Sequence, residues 1–298
     1  MSYPKTVRIV EVGPRDGLQN ESVTLDVATR VEFVHGLAET GLQTIEAGSF
    51  VSPKWVPQMA GSDKVFNQLA PSKATYTALT PNRRGLERAI ECNVKEIAVF
   101  AAASEEFSQK NINCTIDESL EKFKAVSQKA IDHNIAVRGY ISCVAGCPYQ
   151  GSVDNVKVKE IAQSLLAMGC YEISLGDTIG VAKPDSIKLL LEELLQDIAP
   201  SKLAVHLHDT YGQAIANIEQ SLKMGIATVD SSVAGLGGCP YAKGASGNVA
   251  TEHVVHLLNK LGIEHHIDLE KLNAVSRYIS QKLDRPALAD NDSTLSAK

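Results

Sequence analysis

Two histidines spaced two residues apart, His206 and His208 in the segment VHLHDT, form the pair of side chains best suited to bind a metal ion. In an extended strand, side chains at positions i and i+2 point to the same face, so the two imidazoles would project together. Imidazole is a common metal ligand. A second interpretation stays open, in which both rings fill the interior of the fold and are held by hydrogen bonds alone.

Three further residues supply chemistry that would complement the two histidines. Arg15 and Asp16 stand side by side, and Asn248 ends the glycine-rich segment GLGGCPYAKGASGN, residues 235–248. A carboxylate, an amide oxygen and two imidazoles form an oxygen-leaning ligand set that suits Mg²⁺ or Mn²⁺. Catalytic Zn²⁺ also accepts two histidines and a carboxylate, so the identity of the ion stays open.

The guanidinium of Arg15 could polarise a carbonyl or hold a carboxylate. The alternative for this residue is a surface ion pair within a turn.

The elements that must position these residues alternate between strand and helix. Helical patterns separate eight short β-rich runs, at residues 7–12, 43–47, 75–79, 96–101, 136–142, 171–175, 203–208 and 228–233. This alternation predicts an α/β fold, a (β/α)8 TIM barrel over about residues 5–262, for which roughly 250 residues is typical. We expect a single catalytic domain over residues 1–298, with a short C-terminal helical appendage and tail at about 263–298. An open doubly wound sheet is disfavoured, because the first turn, GPRDGLQN, lacks the GxGxxG spacing.

In such barrels the chemistry lies where the strands end. Strands one and eight pair in a closed barrel, which would bring Asp16 near Asn248. Glu46 ends the second predicted strand, Ser49 follows it, and Asp177 follows the sixth. Either carboxylate could fix a histidine tautomer, contact substrate or act as a general base, or could be a satisfied strand-end carboxylate.

Composition excludes several classes of function. The net charge of −6 argues against a nucleic-acid binder, which needs clustered Lys and Arg. No run approaches eighteen apolar residues, so no membrane span is expected. The six cysteines are scattered without paired CxxC spacing, which argues against a zinc ribbon or a disulfide scaffold. The amino-terminal residues do not have the pattern of a targeting segment, and we expect a cytoplasmic location.

Several longer motifs carry a family resemblance that covers about Val12 to Glu252. The segments GPRDGLQNE, SFVSPKWVPQM, KNIN, SLGDTIG, HLHDT and GLGGCPYAKGASGN together resemble the 3-hydroxy-3-methylglutaryl-CoA lyase family, in its bacterial form. This resemblance implies a metal-dependent TIM-barrel lyase that cleaves 3-hydroxy-3-methylglutaryl-CoA (HMG-CoA) to acetyl-CoA and acetoacetate, in leucine degradation or ketone-body metabolism.

The resemblance also implies roles for individual residues. It makes Asp16, His206, His208 and Asn248 the metal ligands and places Arg15 on the thioester carbonyl. Cys239 takes the catalytic cysteine position, with Asp16 and His206 sharing in proton transfer. It places Glu46, Ser49 and Asp177 in the catalytic neighbourhood. It also makes Lys110 and Asn111 the residues that face the CoA moiety.

The letters GCPY occur twice, and we interpret the two copies differently. Cys239 lies among glycines, which let the backbone approach a ligand closely. Cys147, in the copy at residues 146–149, has few glycines around it, and we interpret it as structural.

Two rival functions remain. One is a related synthase that condenses acetyl-CoA with an oxo acid on a similar metal site, and the other is a non-catalytic binding or scaffold protein. The expected partners are a small acyl-CoA substrate and a second copy of the chain in a homodimer, although the sequence itself does not fix the oligomeric state.

Overall fold

Eight parallel strands close into a barrel in the computed structural model, which describes residues 3–237 and 247–288. Each strand pairs with the next along the chain, and the first pairs with the eighth. The strands are β1 Arg8–Glu11, β2 Thr44–Ser49, β3 Thr75–Leu79, β4 Glu96–Ala102, β5 Ala136–Ser142, β6 Ile173–Asp177, β7 Leu203–Leu207 and β8 Thr228–Ser231. The structure confirms the predicted TIM-barrel fold.

Helices surround the barrel and connect its strands. They are α1 Val27–Ala38, α2 Ser62–Gln68, α3 Arg83–Glu91, α4 Glu105–Ile112, α5 Ile116–Asp132, α6 Asn155–Ala167, α7 Pro184–Leu194, α8 Ala214–Lys223, α9 Thr251–Leu261 and α10 Leu269–Lys282. Many begin at a side chain that accepts a hydrogen bond from the first turn. Thr115 and Glu118 form such a start for α5, a complete capping box. The last helix, α10, packs beside α1 and corresponds to the predicted C-terminal appendage.

Six of the eight strands differ from the sequence prediction by one or two residues at an end, and two of these differences concern predicted site residues. The sixth strand covers 173–177 rather than 171–175, so Asp177 is its last residue instead of following it. The seventh strand ends at Leu207, and His208 pairs beyond it through an isolated bridge to Asn248. This bridge brings the segment after β8 against the end of β7.

The inside of the barrel is polar at its centre. Arg138 on β5 is 2% exposed and forms ion pairs with Asp230 on β8 and with Glu172, just before β6. Strands β5 and β8 are not neighbours, so the contact between them crosses the barrel interior. Aliphatic side chains such as Ile141 and Leu165 instead fill the layer between strands and helices.

Across the described ranges, no helix combines the length and the apolar character needed to cross a membrane.

Candidate active site

The turn that carries Arg15 and Asp16 is a short π-helical segment, Gly13–Gly17, directly after β1. A Cβ at Gly13 would lie 2.6 Å from the Glu11 carboxylate, and one at Gly17 would lie 2.7 Å from the Leu236 Cβ. Both positions therefore need glycine, because any side chain would push the turn away from its neighbours. The close packing fixes the two polar residues at the mouth of the barrel.

Asp16, His206 and His208 offer ligand atoms that all lie within 4.8 Å of one another. Asp16 Oδ2 is 3.8 Å from His206 Nε2, and the two imidazole centroids are 5.5 Å apart. Nδ1 of His208 is buried without a hydrogen-bond partner in the part of the chain that the structure describes. A buried polar atom without a partner is costly unless a ligand satisfies it. The site therefore fits a cation.

Asn248 completes this group from the other side. Its Nδ2 donates to Asp16 Oδ2 at 2.8 Å and to the Leu236 carbonyl at 3.2 Å. A Cβ at Gly237 would lie 2.8 Å from the same nitrogen, so glycine is required where the chain approaches the amide. The amide oxygen can then act as a fourth ligand beside one carboxylate and two imidazoles, a donor set that suits Mg²⁺ or Mn²⁺ and also tolerates Zn²⁺.

Arg15 sets the electrostatics of the cluster. Its side chain is 8% exposed, its Nε donates to Glu46 Oε2 at 2.6 Å, and its Nη1 donates to Asp16 Oδ1. Burial opposes ionisation of Asp16, but the charge of Arg15 outweighs it and holds the pKa of that carboxyl well below its usual range. Asp16 is therefore an anion at neutral pH, ready to bind a cation.

The two histidines have opposite pKa shifts. Burial, reinforced by the charge of His206, lowers the pKa of His208 to about 4. Burial also acts to lower the pKa of His206, but the hydrogen bond with Asp230 and the charge of Asp16 outweigh it, and the net pKa is raised. His208 is consequently neutral at pH 7, the form in which imidazole binds metals.

The two other carboxylates that the sequence singled out have different surroundings. Glu46, within β2, pairs with Arg15 through one oxygen, while its other oxygen is buried without a partner among the described residues. Burial raises its pKa, against the charge of Arg15. The oxygens of Asp177 accept from the backbone N–H groups of Val181 at 3.2 Å and Ala182 at 2.9 Å. Asp177 thus holds the turn after β6, and burial raises its pKa.

Apart from Arg15, the residues expected to meet substrate lie outside the group formed by Asp16, His206, His208 and Asn248, which we call the cation cluster. Ser49 ends β2, where its hydroxyl donates to the Leu79 carbonyl at 3.3 Å and accepts from the backbone N–H of Val51 at 3.2 Å. Lys110 and Asn111 are exposed on α4, and Nζ of Lys110 lies 3.7 Å from the centre of the Tyr149 ring. Within the described ranges, no hydrogen bond or ion pair joins Ser49, Lys110 or Asn111 to the cation cluster.

Of the two GCPY copies, only the one at residues 146–149 lies within the described residues. Cys239 lies outside the described residues. The sulfur of Cys147 is buried and accepts from Ser104 Oγ at 3.0 Å and from the backbone N–H groups of Tyr149 and Gln150 at 3.4 Å. These contacts fit the structural role expected for Cys147, which stays a prediction.

Sequence reasoning missed Asp230, whose carboxylate touches a cluster histidine. Its Oδ2 is 3.3 Å from His206 Nδ1, and Arg138 contacts the other side of the same carboxylate. Asp230 stands directly opposite His206 in the register between β7 and β8. The signal was present in the segment TVDS, because alternation along a strand places its aspartate on one face of the barrel wall.

Comparisons with known proteins identify the family of the chain. A model of the HMGL-like family matches residues 6–279. A Pseudomonas aeruginosa protein, "3-hydroxy-3-isohexenylglutaryl-CoA/hydroxy-methylglutaryl-CoA lyase", is 58% identical over 91% of this chain and 91% of its own length. The crystal structure of hydroxymethylglutaryl-CoA lyase from Pseudomonas aeruginosa superposes with a TM-score of 0.96 at 54% identity, covering 100% of both chains.

A third match carries bound ligands. It is an HMG-CoA lyase from Acinetobacter baumannii in complex with coenzyme A and 3-methylmalate, with a TM-score of 0.93 at 31% identity, covering 100% of this chain and 98% of the other. The chain therefore belongs to the HMGL-like family, and the relatives it matches at 54–58% identity are hydroxymethylglutaryl-CoA lyases.

Proposed function

We propose that the protein cleaves HMG-CoA to acetyl-CoA and acetoacetate in a reaction that depends on a divalent cation. The observation that carries this proposal is the cluster of Asp16, His206 and His208 beside a buried arginine, at the mouth of a barrel of the HMGL-like family. The 58% identical relative, whose name includes the same activity, supports the choice of substrate. The products belong to leucine degradation and ketone-body metabolism.

The proposed cation ligands are Asp16, His206, His208 and Asn248, with Mg²⁺ or Mn²⁺ as the expected ion. A bound divalent cation lowers the pKa of a coordinated hydroxyl and neutralises nearby negative charge. The ligand set is held ready for it, because Asp16 is ionised and His208 is neutral at pH 7.

Arg15 is the proposed partner of the thioester carbonyl. Two of its five N–H groups donate to Asp16 and Glu46, which leaves three without a protein acceptor among the described residues. When the bond between C2 and C3 of the substrate breaks, its electron pair passes to C2 and is delocalised onto the thioester oxygen as an enolate. A fixed guanidinium beside that oxygen stabilises the developing charge without reorganisation.

Two proton transfers complete the reaction. The tertiary hydroxyl loses its proton as its carbon becomes the ketone of acetoacetate, and the enolate carbon gains a proton to give acetyl-CoA. We assign the removal of the hydroxyl proton to the groups around Asp16 and His206. Glu46 and Asp177 are the other catalytic carboxylates that we propose for the site. The second transfer is assigned to Cys239.

Replacement of Cys239 tests that assignment. Cys239→Ala should lose most turnover while the affinity for Mn²⁺ stays unchanged, and Cys92→Ala, a half-buried thiol on the outer layer, is the matched control. A Cys239→Ala protein with the wild-type rate would remove the thiol from the reaction.

Ser49, Lys110 and Asn111 are the proposed contacts for the acyl-CoA. The exposure of Lys110 on α4, at the carboxyl end of β4, suits a contact with the anionic CoA moiety. The Acinetobacter baumannii relative with bound coenzyme A supports a CoA site in this fold. Lys110→Ala should therefore raise KM for HMG-CoA more than it lowers kcat.

Incubation of the purified protein with HMG-CoA and Mg²⁺, followed by quantification of both products, separates the proposed function from the rival synthase. The lyase yields acetyl-CoA and acetoacetate in equal amounts. A protein that releases neither, but condenses acetyl-CoA with an oxo acid, would be a synthase. A protein that does neither would be a binding or scaffold protein.

A longer acyl chain is a second candidate substrate. The 58% identical relative carries 3-hydroxy-3-isohexenylglutaryl-CoA in its name alongside the methyl compound. Comparison of kcat/KM for the two thioesters decides which one this protein prefers.

Three further proposals concern the oligomeric state, the domain organisation and the location of the protein. We propose a homodimer and one catalytic domain over residues 1–298. We also propose a cytoplasmic location, which is supported by five unpaired thiols among the described residues, because reducing compartments keep cysteines free.

A further inference from the structure

A row of charged side chains runs through the barrel interior beneath the cation cluster, and the proposed reaction does not use it. Asp230 is 1% exposed and receives two hydrogen bonds from Arg138, at 2.8 and 3.1 Å. Ser174 Oγ donates to the same carboxylate at 2.7 Å. On its far side, Arg138 Nε donates to Glu172 at 2.8 Å. Asp230 is therefore a buried carboxylate held in one orientation by three donors.

The remaining contact of Asp230 is with His206. Oδ2 of Asp230 is 3.3 Å from Nδ1 of the ring, while Nε2 of the same ring is 3.8 Å from Asp16 Oδ2. A neutral imidazole has one N–H donor and one lone pair. The Asp230 carboxylate, which already receives three hydrogen bonds, can only act as an acceptor toward the ring. The N–H of the neutral imidazole is therefore at Nδ1, and its lone pair is at Nε2, on the side of Asp16.

We propose that Asp230 is the positioning residue of the cation site: it accepts a hydrogen bond from Nδ1–H of His206 and so directs the Nε2 lone pair at the cation, with Arg138 holding the carboxylate in place. This inference rests on the proposed cation site. Metal-binding histidines depend on such a partner at the second nitrogen, and its loss typically costs 10- to 100-fold in metal affinity.

The two other carboxylates that could have bound a histidine ring form different contacts. Glu46 pairs with Arg15, and the oxygens of Asp177 accept backbone N–H groups in the turn after β6. The strand register supports Asp230 instead, since it stands directly opposite His206 between β7 and β8. The ring is also packed edge-on against Tyr140, with centroids 6.0 Å apart, which limits its rotation.

The test is the affinity for Mn²⁺, measured by electron paramagnetic resonance of the free ion, in Asp230→Asn and in Glu172→Gln. In Asp230→Asn, the side-chain NH₂ group must face either the Arg138 donors or Nδ1–H of His206. In both orientations a donor faces a donor, so one of the two contacts is lost. Glu172→Gln removes the other anion beside Arg138 and leaves His206 untouched, so it matches the charge change. We expect Asp230→Asn to bind Mn²⁺ about 10- to 100-fold more weakly and Glu172→Gln to stay within about threefold of wild type.

The outcomes separate the two proposals. If the wild-type protein binds no Mn²⁺, the proposed cation site itself is refuted. A wild-type protein that binds it, with equal affinities in the two variants, would overturn the role of Asp230.

If Asp230→Asn does not fold, nitrogen-15 NMR of the Mg²⁺-loaded wild type decides, with the His206 signals assigned by comparison with His206→Gln. A proton on Nδ1 supports the proposal, and a proton on Nε2 contradicts it.

Discussion

Removal of the Arg15 charge should affect stability and turnover separately, and a double variant can resolve the two effects. Arg15 and Glu46 form an ion pair with side chains 8% and 0% exposed and an Nε–Oε2 distance of 2.6 Å. Arg15→Gln leaves the Glu46 carboxylate buried without its counter-charge. Breaking such a buried pair costs about 3–5 kcal/mol of the free energy of unfolding.

The double variant Arg15→Gln, Glu46→Gln removes both charges together, and two amides can hydrogen-bond to each other. It should recover the part of the loss that the Glu46 charge causes, since that cost lies in the uncompensated charge rather than in the missing pair. Asp16, which also pairs with Arg15, keeps its charge in both variants, so any cost at Asp16 is common to the two. Turnover should not recover, because the donor to the thioester oxygen is still absent. Loss of one such donor costs about 10²–10³ in kcat.

Urea unfolding measures the first quantity, and release of acetoacetate measures the second. Arg83→Gln is the matched control, because Arg83 forms an exposed i,i+4 pair with Glu87 at 3.5 Å and should change the free energy of unfolding by less than about 1 kcal/mol. A double variant that regains both stability and turnover would refute the role of Arg15 in catalysis.

Three further predictions concern pH, metal binding and helix capping. Burial raises the pKa of Glu11 from 4.5 to about 7, so the wild type should lose stability relative to Glu11→Gln as the pH rises between these two values. Urea unfolding of both proteins at pH 5, 6, 7 and 8 measures this loss, and a difference in unfolding free energy that does not change with pH would contradict it. His208→Ala should abolish measurable Mn²⁺ binding in calorimetric titration, while His256→Ala, on the exposed face of α9, should bind as wild type; equal affinities would exclude His208 as a ligand. Thr115→Ala should cost about 1 kcal/mol in urea unfolding through loss of the capping box, with Lys124→Ala near zero as the control, and equal effects would argue against the cap.

The barrel and the position of its cation cluster could be predicted from the sequence because both follow from local pattern. Alternating strand and helix runs fix the fold, and the carboxyl ends of parallel strands meet at one mouth. Asp16, His206 and His208 therefore had to converge once the eight runs were recognised. The capping box at Thr115 is equally local, since its two partners are three residues apart.

Asp230 and Arg138 could not be recognised as a unit from the sequence. Their contact joins β5 to β8 across the barrel and depends on the depth at which each strand sits, which spacing along the chain does not encode. For the same reason the sequence left Glu46 and Asp177 as candidates for the contact with a histidine ring. Asp177 is the last residue of β6 rather than the second residue after it, and its oxygens accept hydrogen bonds from the backbone of the next turn.

Chelation followed by metal restoration tests the central claim most directly. The purified protein is treated with EDTA, shown by elemental analysis to be free of metal, and assayed for acetoacetate from HMG-CoA before and after addition of Mg²⁺, Mn²⁺ or Zn²⁺. A cation held by Asp16, His206, His208 and Asn248 predicts that turnover disappears on chelation and returns with Mg²⁺ or Mn²⁺. Full turnover by the metal-free protein, or no acetoacetate with any of the three ions restored, would contradict it.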